Sequence, residues 1–192
     1  MNNNFELNKL TSCKWLNLFE VFYSRKNKRK QSWMMCSRKD KPITDAGVAD
    51  AVVIIPVIKT EAGVRLVVTK EFRVPIWDYE YGFPAGLIDD GEDIAETIKR
   101  ELKEETGLEL VKINHISKPV YSSAGLSDES CCMAVVEARG EVSTQWQEPS
   151  EDIETILMNV DDIKALLESQ SKVAAKAWGI LFHYVKTGKI EI

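Results

Sequence analysis

Residues 86–108 read GLIDDGEDIAETIKRELKEETGL, and this stretch decides how the rest of the chain is interpreted. Its second half places Glu101, Glu104 and Glu105 within five residues, so on a helix the three carboxylates share one face. Like charges at that spacing destabilise a helix by roughly a few tenths of a kcal/mol per pair. A divalent cation would remove this repulsion, because Mg²⁺ and Mn²⁺ prefer hard oxygen ligands. The alternative for an acidic helix taken alone is an ordinary solvated surface.

The same stretch predicts its own local structure. We expect a helix to begin at residues 90–91, where acidic side chains favour a helix N-terminus. Ala95, Ile98 and Leu102 follow at the spacing of an apolar helix face that is buried in the core. Gly107 is a natural end of the helix, since glycine adopts the left-handed conformation that commonly follows the last turn.

Strand patterns lie on both sides of this helix. β-Branched and alternating segments predict strands at 48–58, 64–72, 109–121, 131–138 and 154–160, and residues 78–88 are expected to be either extended or a loop. Two further helices are expected at 160–169 and 172–186. This order of strands and isolated helices predicts an α/β fold (mixed α+β), with a mixed β-sheet and helices packed on both faces.

The first 45 residues predict a separate, small β-hairpin subdomain. The aromatic segments 15–23 and 32–37 are strand-like, and the basic run RKNKRK at 25–30 lies between them. That run has two interpretations, a solvated hairpin turn, which we favour, or a nucleic-acid contact. We therefore expect a β-rich N-terminal subdomain at 1–45 and the main domain at 46–192.

Composition supports an ordinary globular protein. The chain has 192 residues, a net charge of −5 and a hydrophobic content of 44%. No apolar run approaches the roughly 18 residues of a membrane span, and the first ten residues lack a secretion signal. We therefore expect a cytoplasmic protein, with no membrane and no nucleic-acid partner. The four cysteines lack CxxC spacing, so we expect buried reduced thiols and no metal site or disulfide.

The acidic stretch matches every fixed position of a known motif. The chain resembles the Nudix hydrolases, whose Nudix box corresponds here to Gly86, Glu92, Arg100, Glu101, Leu102, Glu104, Glu105, Gly107 and Leu108. The resemblance implies a Nudix α/β/α sandwich that hydrolyses a diphosphate linked to another group. It also implies that Glu101, Glu104 and Glu105, with the backbone carbonyl of Ala85, bind Mg²⁺ or Mn²⁺.

The resemblance also implies catalytic roles for Arg100 and Glu104. Arg100 lies four residues from both Glu96 and Glu104, so we expect it to pair with both carboxylates. Such pairs would hold the metal-binding face in register.

Outside the box, the chain is similar to the ADP-ribose pyrophosphatase group. The segment KEFRVPIWDYEYGFPAGLIDDGE at 70–92 resembles that group's KQ-aromatic-R…FPAGLID-GE pattern, which implies that Arg73 contacts the substrate. The segment PSEDIE at 149–154 resembles its catalytic loop, which implies that Glu151 is a metal ligand or a general base. Asp152 and Glu154 are the alternatives in the same loop.

The N-terminal hairpin fits the same resemblance. In that group two tryptophans from two subunits sandwich the adenine, which implies a homodimer with Trp15, Trp33 and a nearby Arg38 at the base. Two positions depart from the group pattern. Gly82 stands where the group usually has Glu, and Ala124 stands where it tends to have Pro. Because of these two departures, sugar nucleotides other than ADP-ribose stay alternative substrates.

We therefore expect hydrolysis of ADP-ribose to AMP and ribose 5-phosphate. One alternative is another nucleoside-diphosphate compound, such as a UDP- or GDP-sugar. Removal of oxidised nucleoside triphosphates is a further alternative, although such enzymes are commonly shorter. A non-catalytic sugar-nucleotide sensor is the alternative of a different class, but such a sensor would be expected to lose box carboxylates.

Overall fold

The computed structural model describes residues 5–24, 29–43 and 47–190. These residues form two compact units, one built from Met1–Asp50 and Pro119–Cys131, the other from Ala51–Lys118 and Cys132–Ile192. The predicted division of the chain into 1–45 and 46–192, and the dimerisation role of the first part, stay predictions. Along the described chain the strands are β1 (Phe5–Lys9), β2 (Asn17–Ser24), β3 (Lys30–Ser37), β4 (Ala51–Thr60), β5 (Gly63–Arg73), β6 (Asp78–Gly82), β7 (Ala85–Leu87), β8 (Glu109–Ile116), β9 (Val120–Tyr121), β10 (Ser130–Arg139), β11 (Ile153–Met158) and β12 (Lys172–Val173), and the helices are α1 (Ile94–Thr106), α2 (Val160–Glu168) and α3 (Ala175–Thr187).

The first unit contains an antiparallel sheet of β1, β2 and β3. Its core consists of Phe19, Val21 and Met35, against which side chains of β1 pack. The pairing of Ser24 with Lys30 confirms the predicted hairpin, while residues 25–28 of the basic run lie outside the described residues. Strand β1 is an addition that our sequence analysis missed, although its apolar residues alternate with polar ones.

The main sheet of the second unit is mixed. Its strands lie in the order β12-β6-β5-β4-β10-β8, with β11 paired to β5 and β7 paired to β4. The pairing of β12 with β6 is parallel, whereas β5 is antiparallel to β4, β6 and β11. Helix α1 packs on β4, β7, β8 and β11, and α2 and α3 pack on each other and on β11 and β6. The predicted mixed-sheet α/β/α sandwich is thus confirmed.

Every helix in the described part of the chain is too short or too polar to cross a membrane.

Helix α1 begins later than the sequence predicts. Asp93, and not Asp90 or Gly91, is the N-cap, and its side chain accepts a hydrogen bond of 2.8 Å from the backbone N–H of Ala95. The helix therefore begins at Ile94. Its apolar face is as predicted, since Ile98 and Leu102 are fully buried.

The end of α1 is fixed by a glycine for two physical reasons. Gly107 has a φ of +76°, a conformation that is unfavourable for residues with a Cβ. A Cβ at this position would also lie 2.6 Å from the backbone nitrogen of Ser143. The chain thus approaches the helix end more closely than any other residue type would permit.

The cysteines only partly match the prediction of buried thiols. All four are free, and Cys131 and Cys132 are buried. Cys13, however, is exposed and Cys36 is partly exposed. The prediction of burial is therefore wrong for Cys13, which lies in the segment before β2 and not in a strand.

A comparison of two glycines tests the close approach at Gly107. Gly188 ends α3 with a similar φ of +69°, but no described residue lies within 4 Å of a Cβ added there. Gly188→Ala should cost about 1 kcal/mol of stability, from backbone strain alone. Gly107→Ala should cost at least about 2 kcal/mol, because strain and overlap add. Thermal or urea unfolding of the two variants measures the difference, and equal losses would contradict the proposed role of Ser143.

Candidate active site

Two carboxylates of α1 lie buried beside strand β7. Glu101 and Glu105 are only 8% and 6% exposed. A Cβ added at Gly86 would overlap the carboxylate of Glu101, so only glycine leaves room for that side chain. The backbone N–H of Ala85 donates a 3.1 Å hydrogen bond to Oε2 of Glu105. The box glycine on β7 and the box glutamates on α1 therefore form one packed unit.

Arg100 is the cation at the centre of the box. It donates from Nε and Nη2 to the two carboxylate oxygens of Glu92, at 3.0 and 2.9 Å, which is a bidentate pair. Its Nη1 contacts Oε1 of Glu101 at 2.6 Å and Oε2 of Glu104 at 3.3 Å. The prediction of a pair with Glu104 is confirmed. The predicted pair with Glu96 is wrong, since Glu92 takes that place.

The loop before α1 brings Glu92 to Arg100. The side chain of Glu92 also accepts hydrogen bonds from Oγ1 of Thr97, at 2.8 Å, and from the backbone N–H of Asp89, at 3.3 Å. The hydrogen bonds from Arg100, and then from Thr97, lower the pKa of Glu92 to about 2. Glu92 therefore stays ionised and fixes the guanidinium against the helix.

The buried carboxylates have too little positive charge around them. Burial raises the pKa of Glu105 to about 9, and the charges of Glu71 and Glu101 contribute further. Burial also raises the pKa of Glu101, an effect that the hydrogen bond from Arg100 opposes. A site of this kind attracts a cation, because a second positive charge would stabilise both ionised carboxylates.

The donor set fits a divalent metal ion by its chemistry. The predicted ligands are hard oxygens, namely the carboxylates of Glu101, Glu104 and Glu105 and the carbonyl of Ala85, as Mg²⁺ and Mn²⁺ require. Within residues 5–24, 29–43 and 47–190, no three His, Cys, Asp or Glu side chains already stand in an arrangement that could hold a metal. Glu101 and Glu104 instead turn towards Arg100. The ligand set stays a prediction.

Of the three acidic candidates in the 149–154 loop, Glu151 is the one that acts on the box. Its negative charge raises the pKa values of Glu101 and Glu105, which places it within electrostatic range of both. Asp152 accepts a 2.6 Å hydrogen bond from the hydroxyl of Tyr79. Glu154 pairs with Lys70 at 3.3 Å. Glu151 itself accepts from the backbone N–H of Glu148 at 2.8 Å, so its charge, and not a vacant side chain, distinguishes it from the two alternatives.

Arg73 lies at the end of β5 in a cavity beside the box. Its Nη1 is 2.6 Å from Oε1 of Glu71, and its Nε is 3.9 Å from Oε2 of Glu80. These residues, with Ala85 and Gly82, line a cavity of about 120 Å³. Because Gly82 has no side chain, it leaves this space open, and an added Cβ would make only an ordinary 3.7 Å contact.

Glu71 is a residue of this region that our sequence analysis missed. Burial raises the pKa of Glu105 most, and among the neighbouring charges that of Glu71 raises it most. Burial in turn raises the pKa of Glu71 itself. The sequence could have predicted this, because residues two apart on a strand face the same side. Glu71 precedes Arg73 by two, so both side chains were expected on the same face.

The predicted adenine-binding residues belong to the first unit. Trp15 and Trp33 are 69% and 53% exposed, and Nζ of Lys14 lies 4.1 Å from the centroid of the Trp15 ring. The indole N–H of Trp33 donates to the carbonyl of Gly125, the residue after Ala124, at 3.2 Å. Arg38 pairs with Glu129 at 3.3 Å. Their role in binding adenine stays a prediction.

Comparison with known proteins gives concordant findings. The model of the NUDIX domain matches residues 48–178 of the chain. A Caenorhabditis elegans protein named nudix hydrolase 2 is 32% identical over 162 residues, which cover 84% of this chain and 70% of that protein. The ADP-ribose pyrophosphatase of Saccharomyces cerevisiae is 33% identical over 129 residues, which cover 66% of this chain and 54% of the yeast protein.

A solved structure agrees in fold. The crystal structure of an ADP compounds hydrolase matches with a TM-score of 0.69, covering 95% of this chain and 93% of that chain. The sequence identity is 20%, so this match shows a shared fold and nothing about activity.

The raised pKa of Glu105 predicts how stability depends on pH when a chelator is present. In the unfolded chain this carboxyl titrates near its ordinary value of 4.5, and in the folded protein near 9. Folding is therefore penalised increasingly as pH rises from about 4.5 to about 9. Glu105→Gln removes that penalty, so the variant should unfold at a higher temperature than the wild type at pH 8. The gain should shrink towards pH 5.

Glu104→Gln is the control for this measurement, because it changes a more exposed carboxylate of the same helix. A gain for Glu105→Gln that is no larger than the gain for Glu104→Gln would contradict the assigned burial of charge.

Proposed function

Because the chain belongs to the Nudix family, we propose that it is a metal-dependent hydrolase of the diphosphate bond in nucleoside diphosphate sugars. ADP-ribose, cleaved to AMP and ribose 5-phosphate, is the proposed preferred substrate. The observation on which this rests is the buried pair Glu101 and Glu105, held beside the cavity that contains Arg73. The name of the yeast relative and the similarity of residues 70–92 to the ADP-ribose pyrophosphatase pattern support the substrate.

Nudix hydrolases generally use divalent metal ions, and we propose Mg²⁺ or Mn²⁺ here. Glu101, Glu104, Glu105 and the carbonyl of Ala85 would hold the metal. When bound, such an ion neutralises the diphosphate charge and lowers the pKa of a water that attacks phosphorus. The carboxylates of this chain would bind and orient, and Arg100 would keep Glu101 and Glu104 in place.

Two further side chains have proposed roles in the reaction. Glu151, whose charge raises the pKa values of Glu101 and Glu105, would accept the proton of the attacking water or serve as a metal ligand. Arg73 would contact phosphate oxygens or the terminal sugar of the substrate. Its present partners, Glu71 and Glu80, would keep its guanidinium at the mouth of the cavity.

The base would be bound by the first unit of a homodimer. Trp15 of one subunit and Trp33 of its partner would stack on the two faces of adenine, with Arg38 nearby. Stacking of a base on an aromatic ring contributes roughly 1–3 kcal/mol. The high exposure of both rings supports this role. We propose a cytoplasmic location for this activity.

A second candidate is another substrate for the same chemistry. Gly82 lines the cavity beside Arg73 and fills less of it than the glutamate that the ADP-ribose pyrophosphatase group usually has there, which favours a sugar other than ribose. UDP- and GDP-sugars are therefore the main alternatives. A non-catalytic sugar-nucleotide sensor is less compatible with the chain, because all three box carboxylates are present.

A panel of sugar nucleotides and dinucleotides, incubated with Mg²⁺ and separated by chromatography, tests the proposal. ADP-ribose should give AMP and ribose 5-phosphate at the highest kcat/KM. Faster cleavage of a UDP- or GDP-sugar would favour the second candidate. Absence of hydrolysis across the panel, with Mg²⁺ and with Mn²⁺, would contradict the proposed activity.

Removal of one box carboxylate should greatly reduce turnover. Glu101→Gln or Glu105→Gln should lower kcat at least about a hundredfold, which corresponds to about 2.7 kcal/mol of transition-state stabilisation. Glu96→Gln is the matched control, because Glu96 is an exposed glutamate of the same helix outside the Arg100 cluster. Near-normal turnover in both box variants would exclude the assigned metal site.

Mixing two tryptophan variants tests the shared adenine site. Trp15→Ala and Trp33→Ala homodimers should each bind substrate weakly, because both of their sites lack one face of the sandwich. After subunit exchange, a mixed dimer has one site with both defects and one site with none. The mixture should therefore exceed either variant in activity at low substrate concentration.

The control for this mixture is wild type subjected to the same exchange procedure. If exchange is demonstrated by mass spectrometry and no activity returns, the two tryptophans do not complement each other across subunits. A protein that is strictly monomeric in solution would contradict the arrangement directly.

A further inference from the structure

The C-terminal end of α1 is capped by the chain segment that contains Glu151. The last carbonyl groups of a helix have no partner within the helix and must find one elsewhere. Here the carbonyl of Thr106 accepts from the backbone N–H of Ser143 at 3.0 Å. The carbonyl of Glu105 accepts from the side chains of Gln147 and Thr155, each at 3.1 Å. The segment 143–155 is therefore fastened to the box helix.

Gln147 makes the link between the helix and the loop. Its amide nitrogen donates both to the carbonyl of Glu105, at 3.1 Å, and to the carbonyl of Ile153, at 2.8 Å. A glutamine has two N–H donors, so both are used. The side chain is half-buried, which makes the loss of these bonds costly. Glu105 is a box residue, and Ile153 is the first residue of β11, two after Glu151.

This link joins the loop to α1, while the other side of the loop is held by β5, where the backbone N–H of Phe72 donates to the carbonyl of Asp152 at 3.1 Å. Within the loop, the backbone N–H of Glu148 donates to Oε2 of Glu151 at 2.8 Å, and the backbone N–H of Glu151 donates back to Glu148 at 2.9 Å. These bonds order the turn internally but do not connect it to α1. The charge of Glu151 is repelled by Glu101 and Glu105. Without the link from Gln147 to α1, the bonds of Asp152 to Phe72 and Tyr79 would hold the loop on the side of β5 only, and this repulsion would move the carboxylate away from the box.

We propose that Gln147 is a positioning residue for hydrolysis. It holds the loop against the end of α1, fixes Glu151 relative to the box carboxylates, and acts on the reaction through Glu151. This inference rests on the proposed function of the site and adds to it a residue outside the box and outside the catalytic loop itself. Gln147 does not touch the substrate in this account, so its effect is on turnover.

Gln147→Met tests the link, because methionine has a similar length and no N–H donor. The variant should lose at least tenfold in kcat on the best substrate of the panel, while KM changes less than threefold. Gln145→Met is the matched control, since Gln145 is exposed two residues earlier and no described hydrogen bond involves its side chain. It should keep wild-type kinetics. A kcat for Gln147→Met above half of the wild-type value would overturn the proposal.

Thr155→Val separates positioning from simple helix capping. This variant removes the other donor to the carbonyl of Glu105, but Thr155 lies within β11 and is held there by pairing with Thr69. It should lose stability in thermal unfolding and keep kcat within threefold. If Thr155→Val and Gln147→Met lose kcat equally, the effect is one of capping, and the positioning role is excluded.

A double-mutant cycle with Glu151→Gln shows whether Gln147 acts through Glu151. In the Glu151→Gln background, Gln147→Met should change kcat less than threefold, because the group that it positions is already disabled. Fully additive losses would contradict the proposal.

Hydrogen–deuterium exchange tests the link without any substrate. Gln147→Met should accelerate exchange at the amides of Glu148 and Glu151 at least tenfold, while Gln145→Met should leave both unchanged. Unchanged exchange in Gln147→Met overturns the inference even if the panel finds no substrate. Accelerated exchange in an inactive protein would instead place the failure in the proposed function.

Discussion

The structure depends on the repulsion among carboxylates at the end of the box helix. Glu101 and Glu105 are buried together, and burial raises both pKa values, while the charges of Glu71 and Glu101 raise that of Glu105 further. Arg100 is the cation that binds Glu101, and its bidentate pair with Glu92 holds it there. One guanidinium does not neutralise the set, because Glu71 and Glu151 add further negative charge. The fold therefore concentrates carboxylates at one place, which is the property that a divalent cation requires of its protein ligands.

The small residues of the box follow from this constraint. Gly86 leaves space for the carboxylate of Glu101, and Gly107 lets Ser143 approach the end of the helix. Ser143 is the first residue of the segment that caps α1, and this segment includes Glu151. A motif that spans 23 consecutive residues in sequence, 86–108, thus also determines the position of a loop some forty residues later. The requirement for glycine at position 107 and the position of Glu151 are therefore connected through the segment that caps α1.

Sequence reasoning succeeded where the signal is local and periodic. The buried face of α1 at Ile98 and Leu102, the hairpin of β2 and β3, and the mixed sheet all followed from spacing. It failed where three-dimensional context selects among similar residues. Several acidic residues compete for the N-cap, and only the turn geometry selects Asp93. The partner of Arg100 is Glu92, eight residues away across a loop, so the helical spacing rule could not find it. Gln147 binds a backbone carbonyl 42 residues away, a contact that leaves no pattern in sequence.

Titration with Mn²⁺ in buffers of different ionisation enthalpy tests the central claim, that the buried carboxylates form a cation site. At pH 8 Glu105 is largely protonated in the protein, because its pKa is raised to about 9. Metal binding must displace that proton. Calorimetry should therefore show Mn²⁺ binding with release of close to one proton per site, and Glu105→Gln should bind at least tenfold more weakly and release almost none. Absence of Mn²⁺ binding at millimolar concentration, or equal binding and proton release in Glu105→Gln, would contradict the account.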